Sequence, residues 1–274
     1  MRKAGLPPLF LFSMESTFVT TERRDSLQII QLNRPEKLNA LSPEMILALI
    51  DTFKRIDEES GLRVVILTGS GDKAFCAGTD IEELATTTDH DRARELSERG
   101  QALCNQIESC SVPVIAAING IAAGGGCELA LACHLRVASV NAQFSLPETK
   151  LGVVPAYGGT RRLARELGNG RALEMMLTGR HVSAEEALQF GLINRVTTPS
   201  GLMKEAESLA SEITKLAPLA IRACLQAVIK GEELPLAEGL RLEAELFASL
   251  FTTEDVREGT RAFFEKRQPI FKGK

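Results

Sequence analysis

Three apolar runs of strand length most constrain the fold of this chain. They cover residues 27–32, 63–68 and 112–118, and a segment with helical spacing follows each of them. After the first run, Ser42-Pro43 supplies the residue types that are typical of a helix N-cap and first helical position. Strands that alternate with helices pair in parallel and are buried on both faces. The pattern therefore predicts an α/β fold built on a parallel sheet.

Strand-like and helical segments continue to about residue 200, and from there the pattern is helical throughout. We therefore predict three parts: an extension at 1–14 that is disordered, a core at 15–200 and a C-terminal helical region at 201–274. The apolar stripes of the helical region must be covered by the core, by a neighbouring subunit or by both. No internal repeat or low-complexity segment interrupts this division.

Three segments of the core show neither a strand nor a clear helix pattern. Residues 69–80 and 147–150 are predicted to be loops. Residues 82–98 are strongly charged, and we predict a mobile segment there that leads into a helix ending near Cys110. Such loops commonly carry binding and catalytic groups.

Composition excludes several classes of function. The chain has 44% hydrophobic and 25% charged residues, as is ordinary for a soluble globular protein, and a net charge of −4. The acidic balance disfavours a nucleic-acid-binding surface, although a local basic pocket is compatible with it. No apolar run approaches the roughly 20 residues that span a bilayer. We therefore expect neither a nucleic-acid nor a membrane partner.

The cysteines and the N-terminus bear on cellular location. The six cysteines form no C-x-x-C pair, and several lie in apolar surroundings, which favours free thiols in a reducing compartment. Residues 1–13 are short and contain two prolines, so they make a poor secretory signal. Met14 could equally be the functional start. These features predict a cytoplasmic protein.

A glycine-rich turn follows the third apolar run. Gly124, Gly125 and Gly126 lie between the strand and a segment that is predicted to be a helix. Glycines lack a Cβ, so another molecule can approach the backbone closely. The first N–H groups of a helix are free and lie at its positive end, which favours negative charge. Glu128 lies one turn into this helix.

A second glycine turn, Ala77-Gly78-Thr79-Asp80, comes after the second apolar run. If the two strands are parallel neighbours, both turns lie at the same carboxyl edge of the sheet. Two backbone N–H groups from separate turns that converge on one oxygen form an oxyanion hole, which needs no nucleophilic side chain. The carboxylates of Glu128 and Glu148 are the candidate acid and base groups.

Other common catalytic motifs are missing from the sequence. The three histidines lie far apart, and neither H-E-x-x-H nor a pair of closely spaced cysteines is present, so we predict no metal site. There is no G-x-S-x-G nucleophile elbow. The spacing of Gly120 and Gly125 matches a Walker A loop, but Gly126-Cys127 stands where Lys-Ser/Thr would be required.

Several segments together resemble the enoyl-CoA hydratase/isomerase (crotonase) superfamily. The resemblance runs from about residue 16 to the C-terminus, and four motifs occur in the family's order. They are residues 75–81 (FCAGTDI), 117–130 (AINGIAAGGGCELA), 147–155 (PETKLGVVP) and 158–160 (GGT). Residues 33–35 (NRP), 38–41 (LNAL), 258–259 (EG) and 264–267 (FEKR) are similar too.

The resemblance implies a particular fold and assembly. The expected core is a superhelix, or spiral, of strand-strand-helix (ββα) turns, and the C-terminal helical region is expected to complete homo-trimers, usually paired into hexamers. The implied substrate is an acyl-CoA thioester. Coenzyme A is then part of the substrate, so no separate cofactor is expected.

The resemblance also implies roles for individual residues. The N–H groups of Thr79 and Gly125 would hold the thioester oxygen, with the dipole of the following helix adding to them. Glu128 and Glu148 match the two glutamates of the hydratase members. Lys37 and Lys266 would contact the phosphates of coenzyme A. Further substrate-binding residues are expected near these positions: Ala74, Cys76, Ala77, Gly78, Asp80, Ile81 and Gly124.

The presence of both glutamates favours hydration, because family members with one or neither carry out other enolate chemistry. We therefore predict an enoyl-CoA hydratase, a hydro-lyase of fatty acid β-oxidation. It would add water in the syn sense to a 2-trans-enoyl-CoA and give a 3-hydroxyacyl-CoA. The alternatives are a methylglutaconyl-CoA-type hydratase, a Δ3-Δ2 enoyl-CoA isomerase and, less favoured by the net charge, a non-catalytic RNA-binding member.

Three residues near the motifs are predicted to be structural. His134 stands where many members of the family have Asp, about a turn and a half beyond Glu128, and we expect it to stabilise the end of the helix. Cys76 and Cys127 flank the predicted site. We interpret both as small packing residues rather than nucleophiles.

Overall fold

The structure is a computed structural model, and it describes residues 17–274. The predicted extension at 1–14 lies outside the described residues. The strands are β1 (Val19–Arg24), β2 (Leu27–Leu32), β3 (Val64–Gly69), β4 (Ala74–Cys76), β5 (Val114–Ile118), β6 (Ile121–Ala123), β7 (Leu135–Ser139), β8 (Gln143–Ser145), β9 (Val182–Ser183) and β10 (Arg195–Thr197).

The helices lie between the strands and after them. They are α1 (Pro43–Glu58), α2 (Ile81–Thr86), α3 (His90–Glu108), α4 (Gly125–Ala132), α5 (Gly159–Leu167), α6 (Asn169–Thr178), α7 (Ala184–Phe190), α8 (Leu202–Thr214), α9 (Pro218–Gly231), α10 (Leu236–Leu250) and α11 (Glu254–Phe264). Ser42 caps α1 by accepting a hydrogen bond from the Met45 N–H, as the Ser-Pro sequence predicts.

The strands form two sheets. The larger has the order β1-β2-β3-β5-β7-β10, and the smaller has the order β4-β6-β8-β9. The neighbours β2, β3, β5, β7 and β10 are parallel, whereas β1 pairs antiparallel with β2. A strand of the larger sheet is followed three times by a strand of the smaller one, in β3-β4, β5-β6 and β7-β8. This confirms the α/β class and the spiral of ββα turns.

The core lies on both faces of the larger sheet. Every residue of β3 and β5 is buried, as their continuous apolar sequences predict. On one face the sheet packs against α1, α3 and α4, and on the other face α8 covers it with Leu202, Ala206 and Leu209. The site described below therefore rests on strands that are fixed by packing on both sides.

Some boundaries differ from the sequence-based predictions. The predicted loop at 69–80 contains β4, and β6 follows β5 after only a two-residue turn. Both strands have three residues, which is too short for periodicity to show. The charged segment at 82–98, which shows no clear helix pattern in the sequence, is largely helical, in α2 and α3, and residues 148–151 form a 3₁₀ helix instead of a loop. Charged residues on the exposed face of a helix lower the average hydrophobicity of its sequence, but they do not prevent the helix from forming.

The C-terminal helices differ from the core in their burial. Every side chain of α9 and α10, which pack against each other, is exposed or only half-buried. Large apolar side chains are exposed on these helices, among them Val228, Leu236, Leu240 and Phe247. What covers this face stays a prediction. Within the described part of the chain, no helix has the length and apolar character needed to cross a membrane.

Candidate active site

The two glycine turns meet at one edge of the sheets. Their preceding strands, β3 and β5, are parallel neighbours. A Cβ atom on Gly78 would lie 2.8 Å from the Ala123 carbonyl oxygen and 3.2 Å from the Gly125 nitrogen. Gly78 also has a φ of 104°, which side chains rarely tolerate. Only glycine therefore fits at this position, and the predicted juxtaposition of the turns is confirmed.

Both turns offer backbone N–H groups without acceptors. Gly125 is the first residue of α4, so its N–H has no acceptor in a preceding helical turn. Among residues 17–274, the Thr79 N–H donates no hydrogen bond, although its neighbours are fixed to Leu41. The Leu41 N–H donates to the Gly78 oxygen at 2.8 Å, and the Asp80 N–H donates to the Leu41 oxygen at 3.1 Å. The two turns thus present two free N–H donors, those of Thr79 and Gly125.

Glu128 is enclosed by the protein and held by two backbone donors. Its side chain is only 1% exposed. Its Oε1 accepts hydrogen bonds from the Tyr157 N–H at 2.8 Å and the Gly159 N–H at 2.6 Å. Burial raises the pKa of Glu128 to about 7, and the nearby charge of Glu148 adds to this rise while the two N–H groups oppose it.

Glu148 begins the 3₁₀ helix and faces the glycine turn. Its Oε1 is 3.0 Å from the position that a Cβ on Gly124 would occupy. Its Oε2 is buried and has no hydrogen-bond partner in the part of the chain that the structure describes. Burial raises the pKa of Glu148 to about 7. Two carboxyl groups that titrate near neutrality therefore lie beside the N–H donors, which suits proton transfer.

The loop before α5 contributes contacts that sequence reasoning missed. Besides the N–H groups of Tyr157 and Gly159, the Tyr157 ring packs against Gly125, where a Cβ would come within 3.0 Å of it. The Tyr157 carbonyl oxygen accepts a hydrogen bond from Arg162 at 3.1 Å. The glycine pair before α5 was the available signal, but sequence spacing does not show where an N–H points.

The substrate-binding residues that are predicted near the turn at 77–80 lie on and after β4. Ala74 and Cys76 are buried, and the Ala77 N–H donates to the Leu38 oxygen at 3.0 Å. The Ala74 carbonyl oxygen accepts hydrogen bonds from the side chains of Asn39 and Asn119, at 2.9 and 3.1 Å. The β4 backbone is thus fixed next to Gly78 and Thr79.

The buried thiols fit the predicted packing role. Burial raises the pKa of Cys76 to about 12, and it raises the pKa of Cys127 as well. A thiol is nucleophilic as the thiolate, so neither group is activated here. All six cysteines are free.

Charged groups border the turn at residues 77–80. Arg34, which sequence reasoning also missed, forms a 2.6 Å ion pair with Asp80, and this pair lowers the pKa of the carboxyl group. Asp80 also caps α2 through a 3.0 Å hydrogen bond from the Glu82 N–H. Lys37 is half-exposed and pairs with Glu82 at 2.7 Å, and Ile81 is exposed. Lys37 and Ile81 are thus accessible at the rim of the turn, whereas Asp80 is buried in its ion pair with Arg34.

Lys266 is the predicted site residue that lies apart. It is exposed just after α11, and its N–H donates to the Phe263 oxygen at 3.2 Å. No contact among the described residues joins it to Thr79, Gly125 or the two glutamates. Within one copy of the chain, the structure does not bring Lys266 to the site.

His134 has the structural role that the sequence predicts. Its Nδ1 accepts a hydrogen bond from the Val114 N–H at 2.8 Å, and its Nε2 lies 3.0 Å from the Glu108 carbonyl oxygen. Burial lowers the pKa of His134, which favours the neutral ring that this pairing requires. The side chain therefore joins the end of α4 to β5 and α3.

Groups of three or more His, Cys, Asp or Glu side chains that could hold a metal ion do not occur within residues 17–274.

Comparison with known proteins identifies the family. A family model described as enoyl-CoA hydratase/isomerase matches residues 22–274. The chain is 39% identical over 255 residues to a short-chain-enoyl-CoA hydratase from Clostridium acetobutylicum, covering 93% of this chain and 97% of that protein. It is 42% identical over 255 residues to an (E)-benzylidenesuccinyl-CoA hydratase from Thauera aromatica, covering 93% of this chain and 99% of the relative.

A solved structure supports the same conclusion. The crystal structure of an enoyl-CoA hydratase from Bacillus anthracis superposes with a TM-score of 0.90 at 40% identity, covering 94% of this chain and 100% of that one. Identity at this level over nearly the whole length of both chains goes beyond a shared fold. The chain therefore belongs to the enoyl-CoA hydratase/isomerase family.

Proposed function

We propose that this chain is an enoyl-CoA hydratase, which adds water to a 2-trans-enoyl-CoA and gives a 3-hydroxyacyl-CoA. The observation that carries the proposal is the buried carboxyl group of Glu128 together with half-buried Glu148, whose Oε2 is enclosed, beside two free N–H donors. Relatives that are named enoyl-CoA hydratases support it. The substrate is an acyl-CoA thioester, and no further cofactor is required.

The N–H groups of Thr79 and Gly125 would stabilise the enolate. Addition of water to the β-carbon moves electrons toward the thioester carbonyl, so negative charge develops on its oxygen. Donors that are fixed before the reaction stabilise this charge without reorganisation. The N-terminus of α4 adds its positive dipole at the same point.

The two glutamates would handle the protons of the reaction. As the water oxygen bonds to the β-carbon, its proton passes to ionised Glu128, and the electrons of the double bond form the enolate. Protonated Glu148 then gives its proton to the α-carbon on the same face, which is syn addition. A proton moves back from Glu128 to Glu148, directly or through solvent, and this completes the cycle.

The surroundings of each glutamate support this division. Two N–H donors to Oε1 of Glu128 stabilise its charged form. Oε2 of Glu148 lacks any donor within the described residues, and it is buried, so the neutral form is favoured. Like charges in one site also oppose double ionisation, so one shared proton is expected near pH 7.

Coenzyme A is proposed to bind along β4 and the turn at residues 77–80. The backbone near Ala74, Cys76 and Ala77 would recognise the adenine, and Gly78, Asp80, Ile81 and Gly124 would border the thioester. Lys37 would contact the phosphates of coenzyme A after its ion pair with Glu82 breaks. Lys266 would reach an acyl-CoA site only if it lay at the site of a neighbouring subunit.

A homo-oligomer is proposed because the apolar side chains of α9 and α10 are exposed in the single chain. The family resemblance makes a trimer or a dimer of trimers the expected form, and light scattering on the purified protein gives its mass. The free thiols are compatible with the cytoplasm, and β-oxidation of fatty acids is the proposed pathway.

A substrate panel tests the proposed activity. Purified protein should hydrate crotonyl-CoA, which is followed as loss of the enoyl thioester absorbance. Greater turnover of a 3-enoyl-CoA would favour the isomerase, and preference for methylglutaconyl-CoA would favour the branched-chain hydratase. Salt-sensitive retention of RNA without any turnover would favour a binding protein.

A further inference from the structure

We propose that the Tyr157 ring closes the acyl end of the site and restricts the substrate to short-chain 2-enoyl-CoA thioesters. This inference rests on the proposed function, and it assigns a specificity-determining residue to it. Tyr157 is the only tyrosine of the chain, and it is 1% exposed.

The ring fills the gap between α3 and the start of α4. A Cβ on Gly125 would be 3.0 Å from Cε2 of the ring and 3.3 Å from Oγ1 of Thr79. On the other side, a Cβ on Gly100 of α3 would be only 2.0 Å from the ring. The ring therefore touches the proposed oxyanion hole and leaves no room beside α3.

The ring is held in this position by its own loop. The Tyr157 N–H is bound to Glu128 and its carbonyl oxygen to Arg162. The preceding residue is tied to α3, because the Ala156 carbonyl oxygen accepts hydrogen bonds from Ser97 at 2.8 Å and Gln101 at 3.0 Å. These contacts fix the backbone of Tyr157, and the ring itself is held by its close packing between Gly100 and Gly125.

The ring lies on the acyl side of the oxyanion hole. The proposed coenzyme A contacts are on β4, which meets α4 at Gly126, where a Cβ would come within 2.0 Å of the Cys76 oxygen. The ring meets α4 at Gly125 instead, and successive helical residues point in directions about 100° apart. With the thioester oxygen at the hole and coenzyme A along β4, the acyl group extends toward Tyr157.

The hydroxyl group of Tyr157 makes it possible to test the size of the ring separately from its polarity. It is buried next to the Thr79 side chain, and burial raises the pKa of Tyr157 while this neighbour lowers it. Tyr157→Phe removes it and keeps the ring, whereas Tyr157→Ala removes the ring. Phe144→Ala, which removes a fully buried ring from β8, is a matched control for the effect of a cavity.

The experiment compares chain lengths within each variant. The ratio of kcat/KM for 2-decenoyl-CoA to that for crotonyl-CoA should rise at least about tenfold in Tyr157→Ala, and should stay unchanged in Tyr157→Phe and Phe144→Ala. The affinity for decanoyl-CoA relative to that for butyryl-CoA should rise in the same variant. This comparison of dissociation constants gives a readout that needs no turnover. Tyr157→Leu provides the same comparison if Tyr157→Ala does not fold.

An unchanged ratio in folded Tyr157→Ala or Tyr157→Leu would overturn the proposal. So would a wild-type protein that uses decenoyl-CoA as well as crotonyl-CoA. Failure of the wild type to hydrate any enoyl-CoA would contradict the proposed function instead, and the binding ratio would still report on the ring.

Discussion

Glu128 and Glu148 lie beside the same glycine turn in different surroundings. Glu128 is on α4, is closed off from solvent, and has one oxygen held by two backbone N–H groups. Glu148 is on a 3₁₀ helix in a connecting segment, and its Oε2 has no partner among the described residues. Burial raises the pKa of both to about 7.

Under the proposed mechanism, this difference assigns different tasks to two identical side chains. Backbone donors stabilise the charged form of a carboxylate and fix its direction, so it can hold water and accept its proton. A carboxyl group with a free oxygen can carry a proton and release it. The sequence alone left the division of acid and base open, because it depends on contacts from residues 157–159.

The largest expected effect is loss of activity when either carboxyl group is removed. Glu128→Gln and Glu148→Gln should each lower kcat for crotonyl-CoA hydration by about 10²–10⁴-fold, because each removes one proton-transfer group and keeps the side-chain size. The double variant should be little slower than the slower single variant, since the groups act as a unit. Multiplicative losses in the double variant would show that the two glutamates act independently.

Removal of a backbone donor should have the next largest effect. Gly125→Pro eliminates the N–H at the first position of α4, where proline is otherwise tolerated. Gly125→Ala is the matched control, because it brings a similar Cβ contact with Tyr157 and retains the N–H. We expect kcat of the proline variant to be about 10²–10³-fold below that of the alanine variant. Equal values would exclude Gly125 as an oxyanion donor.

Stability should depend on pH through Glu128. Its pKa is about 7 in the folded state against 4.5 ordinarily, so between these values the folded protein binds more protons than the unfolded one. The free energy of unfolding should therefore fall as pH rises through this range, by up to about 3 kcal/mol from this group.

Glu128→Gln should lack this contribution, so urea unfolding at about pH 5 and about pH 8 is the measurement. We expect the variant to gain stability over wild type at the higher pH only. A constant difference between the two proteins would contradict the raised pKa.

The smallest expected effect on activity comes from a polar residue outside the site. His134→Ala leaves the Val114 N–H and the Glu108 carbonyl oxygen without their partner, which should cost about 1–3 kcal/mol of stability. At temperatures where the variant is folded, kcat should match wild type. Loss of kcat in the folded variant would mean that the end of α4 affects Glu128.

Much of this arrangement was predictable from local patterns. Continuous apolar runs marked β3 and β5, and the positions of Gly78 and Gly125 after them placed both turns at one edge. The second sheet was not predictable from periodicity, because β4 and β6 have three residues each. The same is true of the donors to Glu128 and of Arg34 beside Asp80, since these contacts join residues distant in sequence.

Deuterium exchange into butyryl-CoA tests the central claim most directly. This saturated thioester cannot lose water, so exchange at its α-carbon reports the oxyanion hole and the group facing that carbon alone. In deuterated water, we expect exchange with wild type and with Glu128→Gln, and none above background with Glu148→Gln. Exchange that persists in Glu148→Gln and disappears in Glu128→Gln would contradict the assignment of the two glutamates.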